Sequence, residues 1–371
     1  MRLLKLQPDV YKFDSFKEFA EEFKIGKGDL LFTHEFIYQE FIKQLNLEAE
    51  VLFQEKYGTG EPSDEMINAI FEDVNKLEFN RIIAVGGGSV VDIAKLFVLK
   101  DAKDVLELFE KRVPLIKEKE LIIIPTTCGT GSEVTNISMT SIKAKKTKMG
   151  LAVDELYADY AVLIPELVKG LPYSFFVTSS IDALVHAVES YVSPKSNPVT
   201  EMFGVKAMEL ILSGYKQILE HGRDYRTQII EDFVVASNYA GIAFGNTGVG
   251  AVHAISYPIS GIYHVPHGEA NYLFFTEVFK NYQRKNPEGK IKELNKILAG
   301  ILKVDQEDVY DEITSILDKL LSVKPLREYG MKEEEKRAFA KSVIENQQRL
   351  LVNNYVSLSE EEIFSIYENL F

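Results

Sequence analysis

The apolar positions of this chain change rhythm near residue 178. Before it, short apolar runs (DLLFT at 29–33, RIIAV at 81–85, ELIIIP at 120–125, YAVLIP at 160–165) alternate with segments whose apolar residues recur at helical spacing. A strand buried on both faces needs such a brief continuous run, and strands separated by amphipathic helices build a parallel sheet. After residue 178 the short runs nearly vanish. Long segments such as TEMFGVKAMELILSGYKQIL and EKRAFAKSVIENQQRLLV carry a helical period instead. The pattern predicts an α/β domain with a parallel sheet over 1–177 and an all-α domain over 178–371. The lysine-rich KAKKTK at 143–148, between ISMTSI and MGLAV, reads as a hairpin tip.

Two of the predicted strands run into loops that carry chemistry. RIIAV is followed by Gly86, Gly87, Gly88 and Ser89, then a helix that Ser89 is placed to cap, with Asp92 three residues on. Glycines let a backbone approach a phosphate closely, and a helix N-terminus offers open N–H groups and a positive dipole end. The same glycines also serve a plain tight turn, and the dinucleotide fingerprint G-x-G-x-x-G is not met, because Val91 stands where its last glycine would be. ELIIIP leads into TTCGTGS, where Thr126, Thr127 and Thr130 offer hydroxyls at a strand's C-terminal end. Each loop alone satisfies itself as a turn, whereas a dinucleotide across the sheet edge needs both. Cys128 in the second loop reads as a small packed residue, with no histidine near it in sequence.

Histidine is sparse, at six residues, and three of them fall in HAISYPISGIYHVPH at 253–267. In SSIDALVHAVESYV, Asp182 and His186 stand four apart on a helix begun by Ser179 or Ser180, so both leave the same face. A surface ion pair explains that spacing equally well. Joined to His253, on a helix that ends at Pro258 and Gly261, and to His267, at the turn between Pro266 and Gly268, the pair supplies one carboxylate and three imidazoles. Such a donor set suits Fe(II) or Zn(II) with a coordination position left open.

Composition narrows the classes further. A chain of 371 residues with a net charge of −14 repels nucleic acid and anionic membranes, so neither is expected as a partner. One cysteine allows no intrachain disulfide and suits a reducing compartment, while MRLLKLQPDVYKF lacks the apolar core of a signal peptide. A cytoplasmic enzyme acting on a small molecule is expected.

The spans GGGSVVDIAK, PTTCGTGSE, DALVHAVESYVS and HAISYPISGIYHVPHGEAN resemble, in order and spacing, the signatures of the iron-dependent (group III) alcohol dehydrogenase family, and the resemblance covers nearly the whole chain. It implies a nucleotide-binding α/β domain with a parallel sheet, an all-helical metal-binding domain, and the metal in the cleft between them. It implies metal ligands at Asp182, His186, His253 and His267, and a diphosphate loop at Gly87, Gly88 and Ser89 with Asp92 beside it. Nicotinamide-side and ribose contacts fall on Thr126, Thr127, Thr130, Met139 and Lys148. The implied cofactors are NAD and Fe(II), with Zn(II) the alternative, and a homodimer or larger homo-oligomer is expected.

Three positions depart from the family. His34, with Glu35 beside it, stands where many members place an aspartate against the adenine ribose, and Glu61 replaces a ribose-side asparagine. Tyr257 stands where many members have a further histidine near the reacting centre. The stretches VYKFDSFKEF, YGTGEPSDEMI, SNYAGIAFGNTGVGAVHA and KPLREYGMKEEE resemble the subgroup that acts on 4-hydroxybutyrate and succinate semialdehyde. The implied reaction is hydride transfer between NAD(H) and a short primary alcohol or its aldehyde. The alternatives are a general short-chain alcohol or 1,3-propanediol dehydrogenase, a lyase of the dehydroquinate synthase type, and a non-catalytic dinucleotide sensor. The last has no use for four metal ligands.

Overall fold

The computed structural model describes residues 2–58, 60–145 and 147–371. They form two compact units, Leu6–Leu171 and Pro172–Phe371, and the first residues up to Lys5 belong to the second unit. The division thus lies six residues before the expected 177/178, and its cause is local. The helix that carries Asp182 starts at Tyr173, directly after Pro172. Ser179 and Ser180 do not cap it; they sit inside it and donate back to Phe176 O (3.2 Å) and Val177 O (3.1 Å).

The first unit holds six parallel strands: β1 (Asp9–Lys12), β2 (Asp29–Thr33), β3 (Glu50–Phe53), β4 (Arg81–Gly86), β5 (Glu120–Pro125) and β8 (Tyr160–Leu163), in the order β1-β8-β5-β4-β2-β3. Leu30, Phe32, Ile82, Ala84 and Ile123 enter one apolar layer, while Leu31, Ile83, Val85, Ile122 and Ile124 enter the opposite one. Alternate residues of each inner strand are therefore buried on opposite faces, which is why those strands read as unbroken apolar runs. The two edge strands escaped the sequence reading for the same reason. DVYK is exposed throughout and EVLF is only partly buried, so neither needs the run. A separate antiparallel pair, β6 (Ile137–Ile142) and β7 (Thr147–Ala152), forms the expected hairpin, with Lys143–Lys145 in its turn and Lys146 outside the described residues.

Helix α1 (Gly88–Phe97) follows β4, and its N-cap is Gly87, not Ser89. Ser89 Oγ donates instead to Gly60 O at 3.0 Å. A Cβ on Gly86 would meet Val90 Cβ at 2.5 Å, so only glycine lets the chain leave β4 this tightly.

Among its described residues the second unit holds helices and their connections but no strand. Helix α2 (Tyr173–Val192) is buried from Phe176 to Val192 except at Ser179, and α3 (Pro198–His221), α4 (Ile230–Thr247) and α6 (His267–Lys285) pack against it. An apolar surface running all round a helix is what such a central position requires. Helix α5 (Ala251–Tyr263) continues through Pro258 and ends two residues past Gly261. His267 is the first residue of α6, after Pro266. There α6 meets α2 backbone to backbone: a Cβ on Gly268 would fall 1.9 Å from Thr178 O. The chain's first residues strap this unit. Lys5 N donates to Asn246 Oδ1 at 2.6 Å, Asn246 Nδ2 to Lys5 O at 3.0 Å, and Asn197 Nδ2 to Leu3 O at 3.0 Å.

A candidate metal centre and a glycine-lined sheet edge

On α2, Asp182, His186 and Glu189 follow one another at four and three residues, so they share a face. The buried Asp182 carboxylate is the hub. Its Oδ1 lies 3.9 Å from His186 Nε2, 3.6 Å from His253 Nε2 and 3.7 Å from His267 Nε2. Donor atoms of Asp182, His186 and His253 all fall within 4.8 Å of one another, and His267 joins through its approach to Asp182. Donors held about 2.1 Å from a tetrahedral ion stand roughly 3.4 Å apart, close to these separations.

The rings are fixed by their neighbours. His186 stacks between Phe244 (4.1 Å, 17°) and His253 (4.8 Å, 18°). His253 Nδ1 hydrogen-bonds Glu189 Oε2 at 2.6 Å, and Glu189 Oε1 accepts from the Val252 amide at 2.7 Å. With Nδ1–H given to Glu189, the ring offers its Nε2 lone pair to the hub. That Nε2 is buried and has no hydrogen-bond partner. A buried polar atom without a partner is costly, and a cation at the hub would satisfy it, so the donor set fits a divalent ion. Asn271 completes the frame: its Nδ2 donates to Asp182 Oδ1 (2.7 Å), lies 3.2 Å from His267 Nε2, and its Oδ1 accepts from Ser256 Oγ (2.5 Å).

Charge follows the same map. Burial opposes ionisation of Asp182, but His186, His267 and His253 outweigh it and hold the carboxyl well below its usual range. Burial likewise favours neutral His253, yet Glu189 and Asp182 overcome it and push the imidazole up to about 9, so an ion entering the hub would displace the Nε2 proton to gain that lone pair. Tyr257 lies one turn after His253, half-buried, with its ring 6.0 Å from that of His267. Burial raises its pKa above the ordinary phenol value despite the opposing pull of the Arg349 guanidinium, so at neutral pH it is a hydrogen-bonding phenol and not a base.

In the first unit, the C-terminal ends of β2, β4 and β5 lie side by side. Strand order reverses at β2/β4, the place where open α/β sheets bind ligands. The two loops predicted to work together are neighbours: a Cβ on Gly88 would lie 3.0 Å from Thr130 Cγ2, and one on Gly87 3.4 Å from Thr127 Cγ2. Thr127 Oγ1 is buried with no partner, and Gly87 brings no side chain to cap α1. Thr126 continues the ladder, its N–H bonding Gly86 O at 3.0 Å. Asp92 turns to the protein itself, accepting from Ser132 Oγ (2.8 Å) and from the Met139 amide (2.9 Å). It thereby fixes β6 behind the loop. Lys148 pairs with Glu61 at 2.6 Å. His34 Nδ1 meets Glu55 Oε1 at 2.9 Å, and the Glu35 amide donates to the same carboxylate.

Sequence reasoning missed Glu189, Asn271 and Glu55. Glu189 had a signal, since it lies three residues beyond His186 on the ligand-bearing face. Asn271, four residues after His267, had a weaker one, and nothing in the sequence tied Glu55 to His34.

The Iron-containing alcohol dehydrogenase family model matches residues 9–165, and the model for the C-terminal part of the Fe-containing alcohol dehydrogenase family matches 176–371. The chain therefore belongs to the iron-containing alcohol dehydrogenase family, and it is an oxidoreductase of the alcohol–aldehyde class. It is 67% identical to the 4-hydroxybutyrate dehydrogenase of Clostridium kluyveri over the full length of both chains. It is 34% identical to long-chain-alcohol dehydrogenase 1 of Geobacillus thermodenitrificans, over 79% of this chain and 75% of that one. Its fold matches the crystal structure of sulfoacetaldehyde reductase from Bifidobacterium kashiwanohense in complex with NAD+ with a TM-score of 0.86, at 21% identity, covering 99% of this chain and 98% of that one.

Proposed function

We propose that this protein interconverts a short ω-hydroxy acid and its semialdehyde, 4-hydroxybutyrate and succinate semialdehyde first, with NAD(H) as the hydride carrier and Fe(II), or Zn(II), held by Asp182, His186, His253 and His267. The substrate reading rests on the full-length likeness to the clostridial enzyme. The metal reading rests on the buried His253 Nε2, partnerless at the Asp182 hub. When bound, the ion supplies Lewis acidity at the substrate oxygen and NAD supplies or accepts the hydride.

The chain's own residues do the rest. Glu189 holds the His253 tautomer, and Asn271 orients Asp182. Gly87, Gly88 and the open amides of α1 receive the diphosphate, with Ser89 at its edge. The hydroxyls of Thr126, Thr127 and Thr130, with Met139, line the nicotinamide side. Lys148 and Glu61, with His34, lie toward the ribose. Carboxylates at Glu35, Glu55 and Glu61 disfavour a 2′-phosphate, so NADH is preferred to NADPH. Tyr257 donates a hydrogen bond to the substrate or a water without taking a proton. The cytoplasm and a homo-oligomeric state complete the reading, the latter open to light scattering.

The decisive assay follows NADH consumption with succinate semialdehyde and with butyraldehyde, before and after chelation. A strong preference for the charged aldehyde, lost activity on chelation and its return with Fe(II) are expected. Equal efficiency on the two aldehydes would overturn the substrate reading, and undiminished activity after complete chelation would overturn the metal reading.

A further inference from the structure

A protein of net charge −14 cannot attract a substrate carboxylate by its general field, so the receiving cation must be local. Arginine suits the task, because its planar fork binds both carboxylate oxygens together. Arg349 sits on the helical turn Gln348–Leu351, whose position is fixed against the lead-in of α5. Asn353 Nδ2 donates to Val249 O at 3.0 Å and to Arg349 O at 3.3 Å. Asn353 and Asn354 also pack tightly on the glycines before α5. A Cβ on Gly248 would lie 2.3 Å from Asn353 Nδ2, and one on Gly250 would lie 2.7 Å from Asn354 Oδ1. The element that carries His253 and Tyr257 thus also places Arg349.

The guanidinium hydrogen-bonds the Tyr257 side chain, whose ring stands 6.0 Å from that of His267. From the donor cluster the path runs through His267 to Tyr257 and then to Arg349. A four-carbon acid with bonds of about 1.5 Å spans roughly 6 Å from its hydroxyl oxygen to its carboxylate. A substrate whose oxygen lies at the cluster and whose chain follows that path brings its far end to the Tyr257 side of the site.

We infer that Arg349, held beside Tyr257, receives the far carboxylate of the ω-hydroxy acid and sets the preference for a charged substrate over a plain alcohol. The inference deepens the substrate reading proposed above and rests on it. Tyr257 acts here as a positioning residue, keeping the fork aimed along the substrate.

The test compares kcat/KM for succinate semialdehyde and butyraldehyde in wild type, Arg349→Gln and Arg349→Lys, with metal content and NADH binding measured on each protein. Losing a charge-assisted hydrogen bond should lower the succinate semialdehyde to butyraldehyde ratio roughly 10- to 100-fold in Arg349→Gln. The loss should appear chiefly as a raised KM. Arg349→Lys keeps the charge without the fork, so its ratio should be intermediate; it also serves if the glutamine variant folds poorly. An equal fall on both aldehydes in both variants would make Arg349 structural, and an unchanged ratio would place the carboxylate elsewhere; either overturns the inference. A wild type indifferent to the substrate's charge would instead sink the substrate reading itself.

Discussion

Glu189 shares its carboxylate between the His253 ring and the Val252 amide, so it sets both the tautomer of one donor and the start of the helix that bears it. Glu189→Gln should weaken metal binding about 10- to 100-fold, read by competition with a chromophoric chelator, with little change in NADH affinity. His267→Ala should abolish turnover while NADH still binds. His264→Ala, at the left-handed residue that caps the C-terminus of α5, should be much milder. If His264 were essential and His267 dispensable in the same assay, the donor assignment would be wrong. In the first unit, burial pushes the Lys95 ammonium from 10.5 down to about 8, although it donates to Ser132 Oγ (2.6 Å) and Ile137 O (2.8 Å). A depressed lysine pKa means that the unfolded chain binds more protons between about 8 and 10.5, so the group's cost to folding is relieved as pH rises through that window. Denaturant melts of wild type against Lys95→Met should therefore shift in favour of wild type as pH climbs from 8 toward 10. A shift the other way would contradict the buried-ammonium picture. Asp182 and His186 were legible because four-residue spacing is a side-chain statement about one helix. Arg349 was not, because in QQRLLV it reads as one more polar position of an amphipathic segment.

Between elements, the backbone contact of α6 with α2 at Gly268 does most to place His267. Gly268→Ala would drive its methyl into Thr178 O and force the start of α6 outward. Overpacking of this kind costs about 1–3 kcal/mol, and here it should also loosen the metal, since His267 is the adjacent residue. Loss of stability with full metal retention would show that α6 yields elsewhere. The inner strands were readable to within two residues, because a sheet covered on both faces imposes its runs directly on the sequence. Helix starts were less so. Pro172 opens α2 well before the serines that looked like caps, and α5 runs on through Pro258 because neighbouring packing holds it helical where local propensity would stop it.

At the scale of the whole molecule, the proposed cofactor and metal contacts belong to different compact units. Chelation should therefore leave NADH binding, followed by fluorescence, nearly intact while activity disappears. Metal added at a hundredfold excess over its dissociation constant should stabilise the folded protein by about 2.7 kcal/mol, read as a raised Tm. NADH affinity that collapses on chelation would show that the two sites are energetically one. The broad division into a sheet-bearing half and a helical half was visible in the change of rhythm, but the assignment of the first residues to the helical half was not. No pattern in MRLLK names a partner some 240 positions away.

That strap has a consequence for how the protein is made. Leu3 and Lys5 leave the ribosome ahead of the sheet-bearing half, yet Asn246, which pairs with Lys5 across a separation of 241 residues, emerges only after all of it. Domains generally fold as they are synthesised, N-terminal ones first, so the sheet can close early while its own leading residues wait outside it. The helical half is completed only when residues made before the sheet meet residues made after it. Cutting the gene at Pro172 to express that half alone would take the Leu3 and Lys5 backbone partners from the Asn197 and Asn246 amides, leaving them only carbonyls of their own half, whereas residues 2–5 supplied as a short peptide should bind and restore the lost bonds.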